Sequence, residues 1–193
     1  ERNNVIEELI IKDQAIRESI SAIAIADLNG KLTYVNPSFV RMWNFDHESE
    51  ILGKSVVNFW EQTEVVFKVI DTLLNEGSFI GEMNGKKTDD TIFQVFLVAS
   101  LINDSQGNPI SMIASFVDIS ENKRIEDELK KTEQKYRAII ENAPDGVVIL
   151  DTNSKLSYAS PAARNMFGYS ITEPTELIDP NSNTHPDDLE KVI

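Results

Sequence analysis

The sequence predicts an α+β fold built around an antiparallel sheet. Two strand-like segments come first, short helical segments follow, and three longer strand-like segments come last. Strands and helices that are segregated along the chain in this way favour an α+β arrangement. The opening pattern recurs 124 residues later, so the chain is expected to hold two copies of one fold.

The first half of the first copy has local signals for each element. Apolar residues in 1–20 are spaced as in an amphipathic helix. Asn29-Gly30 favours a two-residue turn between strands at 22–26 and 32–35, because both residues tolerate a positive φ. Short helices are predicted at 37–44 and 49–52, the second stopped by Gly53.

The second half continues with a longer helix and the remaining strands. Residues 64–75 carry apolar side chains at helical spacing. Strands are then predicted at 78–85, 92–102 and 110–117, the last two joined by the turn-rich segment 103–109.

The repeat appears without a gap when Ile16 is aligned with Ile140. Between positions 27 and 43 seven residues are identical in both copies: Asp27, Asn29, Lys31, Leu32, Tyr34, Pro37 and Met42. The second copy reaches Ile193, the counterpart of Val69, so the equivalents of 70–119 are missing. We therefore expect a piece of a longer protein that holds one complete domain and the front half of another.

The segment 121–143 is predicted to be a linker helix of a different character. Its acidic and basic residues balance, whereas the whole chain carries a net charge of 18 − 32 = −14. Apolar or small side chains follow the heptad spacing of a coiled coil at Ile125, Leu129, Thr132, Tyr136 and Ile139. Two alternatives stay open: a solvated helix packed on its own domain, or the seam of a dimer.

The composition excludes several classes of function. An excess of carboxylates repels nucleic acid phosphates and an anionic membrane surface. The chain has no cysteine, and therefore neither disulfides nor thiolate chemistry. It has no apolar run long enough for a spanning helix, and a cytoplasmic location is expected. No catalytic set and no metal site emerge from its scattered carboxylates and two histidines, so the fragment is predicted not to be an enzyme.

Four motifs resemble those of PAS sensory domains. They are Asn36-Pro37-Ser38-Phe39, Glu50-Ile51-Leu52-Gly53, Asp118-Ile119-Ser120 before a charged helix, and His185-Pro186-Asp187-Asp188-Leu189. The resemblance implies a five-stranded antiparallel sheet of order 2-1-5-4-3, with helices on one face around a pocket. The expected organisation is an N-terminal helix (1–20), a complete domain (21–120), the linker helix (121–143) and a truncated second domain (144–193). Because the truncated domain lacks the partner of its first strand, it is expected to be poorly ordered or held by non-native contacts.

The resemblance also implies a function in signalling. Such domains detect a signal at the pocket and pass it through flanking helices to an effector domain, here expected downstream and most readily that of a two-component histidine kinase. A ligand-free module for homodimerisation is the alternative, and a flavin or haem redox sensor is a third.

By analogy with the family, fourteen residues are candidates for the pocket: Ala24, Ala26, Val56, Trp60, Val66, Phe67, Ile70, Met83, Val95, Leu97, Ala99, Met112, Ala114 and Phe116. The alanines could leave space for a ligand, whereas the tryptophan and methionines could fill it. A filled core and a small, largely apolar ligand both stay open.

Two cofactors known in the family meet obstacles in this sequence. Val56 stands where the light sensors carry the cysteine that bonds to flavin, which excludes that photochemistry. No histidine lies in 61–76, where haem-binding members have their axial ligand. No cofactor is expected, although non-covalent flavin stays open.

The resemblance also assigns a signal junction and a dimer face. Asp118 is expected to pair with Lys123 or Arg124 and so to set the direction of the linker helix. The outer face of the sheet would carry the apolar side chains of Ile23, Ile25, Phe96, Val98, Ile113 and Val117. Such a patch is seldom left in water, so either helix 1–20 or a second copy of the chain is expected to cover it.

Overall fold

The computed structural model describes residues 2–153 and 155–170. The chain divides into two compact units, Glu1–Arg124 and Ile125–Ile193. The first unit contains α1 (Arg2–Arg17), β1 (Ala22–Ala26), β2 (Leu32–Val35), α2 (Pro37–Met42), α3 (Thr63–Glu76), β3 (Ser78–Lys86), β4 (Ile92–Asn103) and β5 (Pro109–Asp118). Helix α4 (Ser120–Asn142) begins there and continues into the second unit, which adds β6 (Val148–Leu150), β7 (Leu156–Ala159) and α5 (Pro161–Phe167).

The five strands of the first unit form one antiparallel sheet in the order β2-β1-β5-β4-β3, which confirms the predicted fold and strand order. Strand alternation sends every second side chain to one face. On β4 this inner face carries Phe93, Val95, Leu97 and Ala99, all of them buried. Helix α3 covers the same face with Val66, Val69 and Leu73, so the core lies between this helix and the sheet.

The turn between β1 and β2 differs from the prediction. The five residues between the strands form a wider loop in place of a two-residue turn at Asn29-Gly30, because the side chain of Asp27 organises them. Its Oδ1 accepts the backbone N–H groups of Asn29 and Lys31, each at 2.9 Å. Gly30 supplies the positive φ of 75° that this loop requires.

A short 3-10 segment at Val56–Phe59 was not predicted from the sequence. The hydroxyl of Ser55 caps it by accepting the N–H of Val57, and Trp60 follows in extended conformation. An isolated antiparallel bridge then joins Trp60 to Gly85 of β3. This segment carries Val56 and Trp60 to the open end of the core.

The second unit repeats the geometry of the first at the offset of 124. Strands β6 and β7 pair with the same bulge as β1 and β2, and Oδ1 of Asp151 accepts from Asn153 and Lys155 at 2.8 and 2.9 Å. Among the described residues β6 pairs with β7 alone, and its three side chains stay about half exposed. The expectation that 144–193 is poorly ordered or held by non-native contacts stays a prediction, and residues 171–193 of that segment lie outside the described residues.

Helices α1 and α4 keep their apolar side chains in contact with solvent. Val5, Leu9 and Ile11 of α1 are each more than half exposed. On α4 the heptad positions Leu129 and Tyr136 are 68% and 62% exposed, and no residue of this helix is buried. Both alternatives for α4, a solvated helix on its own domain and the seam of a dimer, therefore stay predictions.

Candidate ligand cavity and signal junction

An apolar space remains inside the first unit, between the sheet, α3 and the Val56–Trp60 segment. Its volume is about 80 Å³. Twelve of the fourteen pocket candidates line it: Ala24, Ala26, Val56, Trp60, Val66, Ile70, Met83, Leu97, Ala99, Met112, Ala114 and Phe116. Since no titratable side chain lines the wall, the cavity is suited to hold an apolar body and not to transfer protons.

A row of alanines forms the floor of the cavity. The strand register sets Ala114 of β5 directly opposite Ala24 of β1 and Ala99 of β4. Three methyl side chains lie side by side across the three central strands, where larger residues would reach α3. The space therefore results from residue choice at one level of the sheet.

The other half of the same core is filled with aromatic rings. Trp43 is fully buried, stacks on Phe39 with 4.2 Å between ring centroids, and meets Phe93 and Phe116 edge to face at 5.3 and 5.1 Å. Its indole Nε1–H donates to the carbonyl of Phe59 at 3.1 Å. This packing makes one side of the cavity wall rigid, because the buried N–H and the rings are all partnered.

Two pocket candidates do not line the cavity. Phe67 is 58% exposed, because α3 turns Val66, Val69 and Leu73 inward and so directs Phe67 to solvent; its assignment was wrong. Val95 is fully buried on the inner face, but it packs towards the aromatic half. Leu32, Val69 and Leu73 line the cavity and were not named from the sequence, although helical spacing from Val66 indicates the last two.

The residues of the signal junction contact the backbone of α4, a side chain of β3 and a side chain of α4 itself. Oδ1 of Asp118 accepts the N–H of Ser120 at 2.9 Å and so caps the start of α4. Lys123 forms its ion pair with Glu82 of β3, with 3.1 Å between Nζ and Oε2, while Arg124 binds Glu121. The carboxylate of Asp118 turns towards the backbone of α4, and its pair with Lys123 or Arg124 stays a prediction.

Strand β4 provides a second connection to the start of α4. The N–H of Gln94 donates to Oγ of Ser120 at 2.9 Å, and the carbonyl of Gln94 accepts the N–H of Ile119. Together with Glu82–Lys123 these bonds form what we call the exit joint. None of its members is buried, and its ion pair is partly exposed and therefore individually weak.

The outer face of the sheet carries the predicted dimer residues. Val98 and Val117 are 40% and 43% exposed, and Ile23, Ile25, Phe96 and Ile113 are partly buried. Ile113 also contributes to the cavity wall. Ile80 of β3 extends the patch and is 68% exposed. Within the described chain this face stays open to solvent at its centre and at the β3 edge.

The titratable groups with shifted pKa values lie away from the cavity. Burial raises the pKa of Tyr34, whose hydroxyl is enclosed beside α1 and has no hydrogen-bond partner in the described chain. The N–H of Asn108 lowers the pKa of Asp104 in the β4–β5 turn, and Arg124 lowers the pKa of Glu121. The described residues contain no cluster of three potential metal-ligating side chains and no helix apolar and long enough to cross a bilayer.

Comparison with known proteins gives matches along most of the chain. Residues 20–121 match a family model described as a PAS domain, and residues 134–192 match a second model with the same description. The PAS domain of a protein from Colwellia psychrerythraea has a TM-score of 0.55 to this structure and 20% sequence identity, covering 58% of this chain and 98% of that one. At this identity the structural likeness supports the fold alone.

Two curated relatives are sensor and kinase proteins. Sporulation kinase A of Bacillus subtilis is 25% identical over 180 residues, which are 91% of this chain and 29% of that protein. Sensor protein FixL of Bradyrhizobium diazoefficiens is 33% identical over 75 residues, which are 39% of this chain and 15% of that protein. The chain thus spans less than a third of the length of either relative.

Proposed function

The chain belongs to the PAS domain family, and on that premise we propose that its first module senses a small apolar molecule and reports it through α4. The observation that carries this proposal is the cavity of about 80 Å³ on the inner face of the sheet. It has apolar walls, a rigid aromatic side and a floor of short side chains. Such a site recognises a ligand by size and by the absence of polar groups.

The size of the cavity limits the ligand to about three heavy atoms. A cavity of roughly 150 Å³ holds benzene or xenon, and this one has about half that volume. Drug-sized molecules occupy pockets of roughly 300–1,000 Å³. Flavin and haem, which are larger than this, are therefore less well supported as ligands. Val56 has no thiol to bond flavin, and α3 has no histidine to bind haem iron.

Neighbouring side chains connect the cavity to the exit joint. On β3, Met83 faces the cavity and the preceding residue, Glu82, faces outward and binds Lys123. On β5, Phe116 lines the cavity two residues before Asp118, which caps α4. A shift of either strand caused by an occupant would therefore move a group that holds α4.

The role of the whole protein extends this proposal. Similarity to part of a sensor protein and of a sporulation kinase supports a role in a kinase signalling protein. We propose that this is a cytoplasmic two-component protein in which the chain precedes a histidine kinase domain. The apolar outer face and the exposed heptad residues of α4 support a homodimer. A ligand-free dimerisation module is the second candidate, and the same outer face favours it.

Xenon is a suitable probe of the cavity, because it is apolar and compact. We expect xenon pressure to raise the melting temperature of the first module, since a ligand of the folded state alone stabilises it. The amides of 119–123 should also change their rate of hydrogen exchange. Helium at the same pressure is the control. No shift with xenon beyond that with helium would contradict the sensing proposal and leave the dimerisation module.

The dimer is tested at the outer face. Val98→Lys combined with Val117→Lys places two cations on the patch and should reduce the mass measured by light scattering to that of a monomer. Leu28→Lys, in an exposed turn, is the matched control and should not. A wild-type chain that is monomeric at every concentration would refute the homodimer.

A further inference from the structure

The buried amide of Asn36 joins three parts of the first module. Its Oδ1 accepts the N–H groups of Ile23 at the start of β1 and Phe39 in α2, at 2.8 and 3.0 Å. Its Nδ2 donates to the carbonyls of Ile16 in α1 and Ser21 before β1, both at 3.0 Å. Asn36 is fully buried, so every hydrogen-bonding group of the side chain is used without help from solvent.

A second side chain of α2 binds the same incoming segment. Oγ of Ser38 donates to the carbonyl of Ser19 at 2.6 Å and accepts from Arg41. Three carbonyls at the C-terminal end of α1 and just beyond it are thus held by two side chains. We call this set of three bonds the entry latch. It fixes the end of α1 to the body of the module.

The second module keeps the framework of this arrangement but not the latch. Ser160, the counterpart of Asn36, is fully buried, and its Oγ accepts the N–H groups of Val147 and Ala163 at 3.0 and 3.2 Å. These are the counterparts of Ile23 and Phe39, so the accepting half of the amide is reproduced. Ala162 stands where the first module has Ser38 and has no hydroxyl to donate.

The three carbonyls therefore lose their side-chain donors in the second module. Their counterparts belong to Ile140, Ala143 and Asp145, and in the described chain neither Ser160 nor Ala162 donates to them. The bond from residue 143 to the carbonyl of Ile140, 3.4 Å long, repeats the bond from Ser19 to Ile16 at 3.3 Å. The helix ends are alike, and the anchoring of the helices differs.

We propose that the presence or absence of the entry latch determines how firmly each module holds the helix that precedes it. In the first module α1 is clamped and moves with the domain body. In the second module α4 enters through an unlatched joint at 140–146 and pivots there. This proposal goes beyond ligand sensing and does not depend on it. A signal carried by α4 reaches the second module as a change in the direction of the helix, because the module does not fix that direction.

Matched distance measurements test the proposal. Because the chain has no cysteine, pairs of introduced cysteines carry spin labels without further changes. One pair is Gln14→Cys with Asn29→Cys, and its counterpart, at the offset of 124, is Ala138→Cys with Asn153→Cys; all four positions are exposed. We expect a narrow distance distribution for the first pair and a broad one for the second.

Exchanging the latch residues should exchange these behaviours. Asn36→Ser with Ser38→Ala should broaden the first distribution. It should also accelerate hydrogen exchange of the Ser19 amide by about tenfold, because its bond to the carbonyl of Ile16 opens more often once the latch is lost. Ser160→Asn with Ala162→Ser should narrow the second. Exchange in β4 and β5 shows whether the variants stay folded. Equal widths of the two distance distributions in the wild-type chain would overturn the proposal. Distributions whose widths do not change in the exchanged variants would overturn it as well.

Discussion

Ala114→Val gives the sharpest test of the cavity, because Ala114 is the central member of the alanine row. The substitution adds two methyl groups towards the space, and valine also has a higher strand preference than alanine, as it does in the control below. Burying them is worth about 0.8 kcal/mol each, or about 1.6 kcal/mol. An independent estimate comes from the cavity itself: about 80 Å³ at roughly 24 cal/mol per Å³ corresponds to about 2 kcal/mol. After some local strain, we expect a gain of about 1 kcal/mol.

The assay is urea unfolding, monitored through the fluorescence of tryptophan. Both tryptophans of the chain, Trp43 and Trp60, lie in the core of the first module, so the signal reports that module. In thermal unfolding the same gain corresponds to a rise of about 4–8 °C for a domain of this size. The variant should also lose its stabilisation by xenon, because the occupied volume is no longer available.

Ser115→Val is the matched control. It adds an apolar side chain at the next residue of β5, which points to the outer face, and should leave the response to xenon unchanged. If Ala114→Val instead lowers stability by more than about 1 kcal/mol, the position is already packed, since overpacking costs about 1–3 kcal/mol. A destabilised variant that still binds xenon would refute the assignment of Ala114 to the cavity floor.

Three further predictions concern other parts of the first module. Gly85→Ala should lower the stability of the first module by about 1–3 kcal/mol in urea unfolding, because the new Cβ would stand 2.6 Å from the ring of Phe93; Phe93→Leu in the same chain should recover part of the loss. A double-mutant cycle of Glu82→Gln and Lys123→Met should give a coupling below about 1 kcal/mol that disappears in concentrated salt, and a coupling unaffected by salt would contradict a solvent-exposed pair. Asp104→Asn should make stability fall less steeply in acid. Hydrogen bonds lower the pKa of Asp104 in the folded chain, so its contribution to stability is complete above its ordinary pKa of 3.8 and is lost as pH falls below that value. Equal slopes of unfolding free energy against pH for the variant and the wild type would contradict this.

Most of the fold could be predicted because its signals are local. The strands at 22–26 and 32–35 have the predicted bounds, and α3 and β3 to β5 differ from their predictions by one or two residues. The loop between β1 and β2 could not be predicted in the same way. There a side-chain carboxylate competes with the tight turn that Asn29-Gly30 favours, and only the folded loop shows that Asp27 prevails.

The site was predictable in its residues and not in its volume. Strand alternation together with the family resemblance named the inward side chains of β4 and β5. Whether Met83 and Met112 fill the space left by the alanines depends on their rotamers, which the sequence does not specify. The stripe of α3 that faces inward runs through Val66 and Ile70 and has apolar residues on both sides. Phe67 was misplaced because only packing against the sheet decides which of these sides turns inward. The partner of Lys123 was missed because Glu82 lies 41 positions away in sequence.

The small cavity also limits how strongly a ligand could act on α4. The best small ligands contribute about 1.5 kcal/mol per heavy atom, so about three atoms supply at most about 4.5 kcal/mol. Moving an equilibrium from 1:99 to 99:1 requires about 5.5 kcal/mol of differential affinity. An occupant of this cavity therefore cannot drive a strongly biased switch. It can control an equilibrium that is already close to balance, and the exit joint has the properties that such balance requires: the Glu82–Lys123 pair is partly exposed, and its contribution is of the order of 0–1 kcal/mol. A more tightly held α4 would leave the occupied and empty modules with the same output.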